Sequence, residues 1–129
     1  MSVLVVDASV AFAAAVAPAG FDRFTDDDLL APPLLWPEVR SALHEAMSRG
    51  ELSARAALES LQAIEGGPIH QRADARIGRR AWEIADRLGW MKTYDAEYLA
   101  LADLLGCRIV TLDGGIKDAA RRLSIQVAL

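Results

Sequence analysis

Cysteine is scarce in this sequence, which excludes a fold held together by internal disulfides. Cys107 is the single cysteine among 129 residues, and it precedes the apolar residues Ile109 and Val110 by only a few positions. A lone cysteine in such a run is typical of an inert core residue rather than of a nucleophile. A chain of this length buries about two-thirds of its unfolded surface and needs no disulfide or structural metal to fold. We therefore expect a single domain over residues 1–129.

Long hydrophobic runs are also lacking, which argues against a membrane protein. The longest uninterrupted apolar run covers residues 10–17, far fewer than a bilayer-spanning helix requires. The first apolar segment leads directly into Asp7 and has no basic region before it, unlike a secretory signal peptide. These features predict a cytoplasmic protein that makes no membrane contact.

Basic residues are fewer than acidic ones, and histidine is rare. The formal net charge is −4, which argues against a protein that binds nucleic acid through a high overall positive charge. It does not exclude an enzyme that gathers carboxylates around a metal ion. The two histidines, His44 and His70, lack the paired spacing of metal ligands, and no Ser-His-Asp arrangement is indicated. The chemistry must therefore be sought among the acids.

The stretch at residues 3–9 combines a buried strand with polar side chains. Residues 3–6 are all apolar, as in a strand covered on both faces of a parallel sheet, and Asp7 and Ser9 follow at once. In open α/β folds, ligands bind at the carboxyl ends of the strands. The alternative interpretation is that Asp7 or Ser9 merely caps the following helix.

The alternation of strands and helices along the chain predicts a three-layer α/β/α sandwich around a central parallel sheet. The predicted strands cover residues 3–6, 29–31, 69–72, 107–112 and 125–129, the last at a sheet edge. The predicted helices cover residues 9–17, 34–48, 53–65, 74–88, 94–105 and 116–123. Ser53 and Thr93 are expected N-caps, and the three acids at 26–28 are interpreted as a solvated turn.

Four acids can converge in such a fold. Asp7 and Asp113 each follow a buried strand, while Glu38 and Asp95 each lie in the first turn of a helix. If the two strands are neighbours where the strand order reverses, all four open toward one crevice. Uncompensated carboxylates would repel one another there, and a hard divalent cation such as Mg²⁺ would relieve that repulsion. This arrangement suits metal-assisted phosphodiester hydrolysis.

The same residues carry a resemblance to a known family. The sequence resembles PIN-domain ribonucleases, and in particular VapC-type toxins of bacterial toxin–antitoxin pairs. The matching pieces, which extend over essentially the whole chain, are Val-Val-Asp-Ala-Ser at 5–9, Pro-Glu-Val at 37–39, Thr-Tyr-Asp-Ala-Glu-Tyr-Leu-Ala-Leu-Ala at 93–102 and Val-Thr-Leu-Asp at 110–113.

The resemblance implies a Mg²⁺-dependent endoribonuclease, with Mn²⁺ as a substitute. It implies that Asp7 and Asp95 are the most direct metal ligands and that Ser9 and Thr111 support the site by hydrogen bonding. The full catalytic set that it implies is Asp7, Glu38, Asp95 and Asp113. It also implies a homodimer and a cognate antitoxin that blocks the site with a basic side chain. In one departure, Gly114 and Gly115 stand where many relatives carry basic residues.

Two other functions stay open at this point. One is a phosphoacceptor signalling domain, although such domains normally carry paired acids after the first strand and a lysine near a late strand end. The other is a non-catalytic PIN-fold module that only binds a partner. If the chain does cleave RNA, Arg40 and Lys92 are candidate backbone contacts. Residues Arg72, Arg76 and Arg80 recur every four positions on one predicted helical face, which is interpreted as solvated rather than phosphate-binding.

Overall fold

A computed structural model describes residues 2–128 and contains one parallel sheet of four strands. The strand order across the sheet is β3-β2-β1-β4. The strands are β1 (Ser2–Val6), β2 (Asp27–Ala31), β3 (Ile69–Gln71) and β4 (Arg108–Val110). Because all pairings are parallel, every strand points its carboxyl end to the same edge of the sheet.

Helices cover both faces of the sheet. They are α1 (Ala8–Val16), α2 (Leu35–Ser48), α3 (Ala54–Glu65), α4 (Ile77–Leu88), α5 (Tyr94–Leu105) and α6 (Gly114–Arg122), with a 3₁₀ turn at Asp22–Phe24. Helix α1 packs against α2 and α3, whereas α5 packs against α4 and α6. Right-handed crossovers place these two groups on opposite faces, since the chain reverses its direction across the sheet after β3. The three-layer α/β/α prediction is confirmed.

Strand β1 lies at the centre of the architecture. Its Val5 pairs with Leu30 of β2 on one side and with Ile109 of β4 on the other. The chain runs outward from β1 through β2 to β3 and then returns to β4 on the opposite side. The carboxyl ends of β1 and β4 therefore flank the point where the strand order reverses, which is the usual ligand site of an open α/β sheet.

Helix α5 is buried on nearly all sides. The consecutive residues 98–102 are each at most 1% exposed, and they contact β1 and β4. Alanines at 96, 100 and 102 allow the helix to approach the sheet closely, while Leu99 and Leu101 fill the core. The helix begins immediately before Asp95, so core packing fixes the position of that acid at the functional edge.

Several local predictions require correction. Asp27 and Asp28 belong to β2 and pair with Ser2 and Val3, because the strand begins earlier than its apolar part indicates. Helix α4 starts at Ile77 with Arg76 as its N-cap, so Arg72 precedes the helix and shares no helical face with Arg80.

Two further predictions at chain turns were wrong. Thr93 precedes α5 but makes no side-chain capping hydrogen bond, because its backbone already has helical dihedral angles. The predicted edge strand at 125–129 is reduced to one bridge between Ile109 and Val127, and its last residue, Leu129, lies outside the described residues. By contrast, Ser53 caps α3 as predicted by accepting from the Ala56 amide.

None of the helices formed within residues 2–128 has the length and hydropathy needed to cross a membrane.

Candidate active site

Asp7 is a buried carboxylate that three donors hold in place. It is 3% exposed and follows β1 directly. Ser9 Oγ donates to Asp7 Oδ1 at 2.6 Å, and Thr111 Oγ1 donates to Asp7 Oδ2 at 2.5 Å. The amide of Val10 also donates to Oδ1, at 3.1 Å, so Asp7 is the N-cap of α1. The capping interpretation is therefore correct for Asp7, and it coexists with a place at the functional edge.

The two hydroxyls also accept hydrogen bonds from the loop after β4. Ser9 Oγ accepts from the Leu112 amide, and Thr111 Oγ1 accepts from the Asp113 amide, each at 3.0 Å. Each hydroxyl thereby joins Asp7 to the backbone that carries Asp113. We call this arrangement of Asp7, Ser9 and Thr111 the hydroxyl clamp. It supports the carboxylate from both sides, as the resemblance implies for Ser9 and Thr111.

Asp113 lies at the N-terminus of α6. Its Oδ1 accepts from the Ile116 amide at 2.8 Å and caps the helix. Residue 115 is close to this carboxylate, because a Cβ built there would lie 3.1 Å from Asp113 Oδ1. Glycine at 115 therefore leaves the cap undisturbed.

Glu38 lies in the first turn of α2, where the chain enters the helix from the end of β2. Its Oε1 accepts a hydrogen bond from the hydroxyl of Tyr98 on α5. Burial raises the pKa of Glu38, the Tyr98 hydrogen bond acts in the opposite direction, and the negative charges of Asp95 and Asp7 raise the pKa further. Glu38 is thus close enough to both acids to feel their charge.

Asp95 occupies the first turn of α5 and is solvent-exposed, unlike Asp7. Its carboxylate has no hydrogen-bond or ion-pair partner among the residues that the structure describes. Partial burial raises its pKa, and the charges of Asp113 and Asp7 raise it further. The effects of these charges on Glu38 and Asp95 show that four carboxylates lie close together. We call them the acidic set: Asp7, Glu38, Asp95 and Asp113.

The acidic set fits a hard divalent cation by its chemistry, although its side chains do not converge as ligands in their present rotamers. Across residues 2–128, no group of three or more Asp, Glu, His or Cys side chains forms an arrangement that could hold a metal ion. Asp7 and Asp113 direct carboxylate oxygens at protein donors. Carboxylate oxygens are the ligands that Mg²⁺ prefers. Burial raises the pKa of Glu38 and of Asp95, and the charges of neighbouring carboxylates raise both pKa values further, as expected where no cation compensates them.

The basic residues considered for RNA contact lie outside this cluster. Arg40 is on α2, and its guanidinium is 3.8 Å from Glu65 on α3. Lys92 is exposed in the loop before α5. Arg76 forms a close pair with Asp74, and Arg80 contacts Asp103 at 2.7 Å. These ion pairs favour the interpretation of the arginines at 76 and 80 as a structural surface.

Reasoning from the sequence missed the role of Tyr98. The residue belongs to the motif that carries the family resemblance, but its periodicity indicates only a core position. Its hydroxyl reaches Glu38 from sixty residues away in sequence. A buried tyrosine needs a hydrogen-bond partner for its hydroxyl, and that requirement was the one available indication.

Comparisons with known proteins agree with this fold. The PIN domain family model matches residues 4–122. The VapC ribonuclease Mb0985 of Mycobacterium bovis is 31% identical over 119 residues, covering 92% of this chain and 91% of that protein.

Two solved structures show the same fold. PAE2754 from Pyrobaculum aerophilum has a TM-score of 0.75 at 24% identity and covers 92% of this chain and 79% of that one. VapBC2 from Rickettsia felis, bound to a DNA fragment from the VapBC2 promoter, has a TM-score of 0.70 at 10% identity, covering 97% and 96%. The match of the family model over most of the chain, together with the identity to a VapC ribonuclease, shows that this protein belongs to the PIN domain family.

Proposed function

We propose that this protein is a Mg²⁺-dependent endoribonuclease, with Mn²⁺ as a possible substitute, and the toxin of a toxin–antitoxin pair. The observation that carries the proposal is the acidic set at the switch point of the sheet, with Asp7 held in the hydroxyl clamp. The identity to a VapC ribonuclease over 92% of the chain supports RNA as the substrate.

The residues divide the work of the site between them. Asp7 and Asp95 would hold the cation, with Asp7 fixed by the hydroxyl clamp and Asp95 free to adjust. Glu38 and Asp113 would add negative charge and accept protons or hydrogen bonds from water. When bound, Mg²⁺ would supply Lewis-acid activation of water and neutralise charge at a phosphodiester. No side chain of the acidic set is required as a covalent nucleophile.

The partners follow from the same proposal. An acidic pocket is complementary to an arginine or lysine, so a cognate antitoxin can occupy it with a basic side chain through charge-assisted hydrogen bonds. The similar structure from Rickettsia felis is that of VapBC2 rather than of a VapC alone, and this supports an antitoxin partner for the present chain. We also propose a homodimer, on the resemblance alone. Arg40 and Lys92 remain proposed RNA contacts, with Arg40 first having to leave Glu65.

The phosphoacceptor alternative is not favoured by the residues at the end of β4. Such a domain normally carries a lysine near a late strand end, whereas residues 110–113 are Val-Thr-Leu-Asp. The non-catalytic module has no such observation against it. Activity measurements must therefore separate it from the nuclease.

The test is cleavage of a broad panel of RNAs by the purified wild-type protein, with and without Mg²⁺. We expect cleavage that depends on Mg²⁺ and that Asp7→Asn and Asp95→Asn abolish. Asparagine at position 7 keeps a capping side chain, so α1 is preserved in that variant. Asp86→Asn is the matched control, because Asp86 is exposed on α4.

The control should cleave as the wild type does. Wild-type protein that cleaves nothing in the panel, or asparagine variants that cleave equally well, would favour the non-catalytic module. Labelling by a small phosphodonor would instead favour the phosphoacceptor domain.

A further inference from the structure

Tyr98 is a buried residue whose polar end reaches the acidic set. Its side chain is 1% exposed and is among the largest that the core encloses completely. It lies on α5 three residues after Asp95, so the two residues share a face of that helix. The Tyr98 hydroxyl donates to Glu38 Oε1 and so links α5 to the first turn of α2.

Without the hydrogen bond from Tyr98, the side chain of Glu38 would be expected to turn away from the acidic set. Its side chain is only half-buried, and the charges of Asp95 and Asp7 repel it. A glutamate also has three rotatable bonds, and solvent is available as an alternative environment. Within the described part of the chain, the Tyr98 hydroxyl is the only side-chain donor to Glu38. The hydrogen bond therefore opposes both the repulsion and the loss of side-chain freedom.

The hydrogen bond also leaves half of the carboxylate available. Tyr98 occupies Oε1, while Oε2 stays free to accept a further partner. The contact therefore orients the side chain of Glu38 without using its second carboxylate oxygen.

We propose that Tyr98 is a positioning residue that fixes Glu38 within the acidic set, so that Glu38, besides adding negative charge, joins Asp7 and Asp95 in holding the divalent cation. This inference rests on the proposed function, since it assumes that the acidic set binds a metal. Hydrogen-bond partners of this kind change metal affinity by about 10- to 100-fold when they are removed.

Binding of Mn²⁺ tests the inference without any measurement of cleavage. Titrations followed by the loss of the electron paramagnetic resonance signal of free Mn²⁺ would give the affinity of each variant. We expect Tyr98→Phe to weaken Mn²⁺ binding about 10-fold or more. Tyr94→Phe is the matched control, because the Tyr94 side chain is exposed and its hydroxyl has no partner in residues 2–128. It should bind as the wild type does.

A double-mutant cycle separates positioning from a merely structural role. If Tyr98 acts through Glu38, then Tyr98→Phe should have no further effect on Mn²⁺ affinity once Glu38→Ala is present. An equal loss in both backgrounds, or Mn²⁺ binding by Tyr98→Phe at wild-type affinity, would overturn the inference and leave the proposed function standing. Wild-type protein that binds no Mn²⁺ would overturn both.

Discussion

Asp7 and Asp95 belong to one acidic set, yet the protein treats them in opposite ways. Asp7 is 3% exposed and accepts hydrogen bonds from Ser9, Thr111 and a backbone amide. Asp95 is exposed, and its pKa is raised by partial burial and by neighbouring carboxylates. One carboxylate is therefore preorganised by the fold, while the other carries unrelieved repulsion. We infer that Asp7 anchors the site and that Asp95 responds to what binds there.

The largest contrast should be seen in the stability of the metal-free protein. Asp7→Ala removes a helix cap and two hydrogen bonds to a buried carboxylate, and we expect it to lower the free energy of unfolding by about 3 kcal/mol. Asp95→Ala should change that free energy by less than about 0.5 kcal/mol, as is usual for exposed positions. Urea denaturation in the presence of EDTA measures both. Equal losses in the two variants would contradict the division of roles.

The hydroxyl clamp can be weakened without removing Asp7. Thr111 is fully buried, and Thr111→Val keeps its shape while removing the donor to Asp7 and the acceptor for the Asp113 amide. We expect a loss of about 1–2 kcal/mol in the free energy of unfolding. Thr25→Val is a control, because Thr25 is exposed and its hydroxyl bonds only a carbonyl of the adjacent turn. A clamp variant as stable as its control would show that the clamp is dispensable.

Metal binding should reveal the contribution of Asp95 in melting experiments. A divalent ion at a concentration 100 times its dissociation constant stabilises the wild type by about 2.7 kcal/mol. Asp95→Asn should lose this increment while its metal-free melting temperature stays at or slightly above that of the wild type. Scans with and without Mg²⁺ or Mn²⁺ check this. An increment that survives in Asp95→Asn would remove Asp95 from the site.

The smallest expected effect is on the pH dependence of stability. The pKa of Asp95 is raised in the folded protein above its ordinary value of 3.8. The native state therefore holds this proton longer than the unfolded chain, and stability falls as pH rises from below 3.8 through the raised pKa. Asp95→Asn lacks this loss, so its stability relative to the wild type should increase across that window in EDTA. A difference that stays constant with pH would contradict the repulsion.

The parts of the site that follow strands were accessible from the sequence. Asp7 and Asp113 come directly after apolar segments, and two parallel strands that flank a switch point must end at the same edge. The first turns of α2 and α5 place Glu38 and Asp95 at that edge for the same reason. The strand order, together with the hydrophobic periodicity that locates the strands and helices, therefore predicts which acids lie close together.

The contact between the side chains of Tyr98 and Glu38 could not be predicted from the sequence. Tyr98 reaches Glu38 because α2 and α5, on opposite faces of the sheet, both begin at its carboxyl edge, and no local pattern encodes that contact. The prediction that the arginines share one helical face was wrong for a different reason. It extended a period of four to Arg72, which precedes the helix. Asp74 instead pairs with the backbone and side chain of Arg76 before α4 begins.

Anomalous diffraction from crystals grown with Mn²⁺ would locate the cation itself and so test whether the acidic set is a metal site. We expect one strong peak at the carboxyl edge of the sheet, roughly 2 Å from carboxylate oxygens of both Asp7 and Asp95. Saturating Mn²⁺ that gives no peak there, or a peak whose ligands all lie outside the acidic set, would contradict the proposed site.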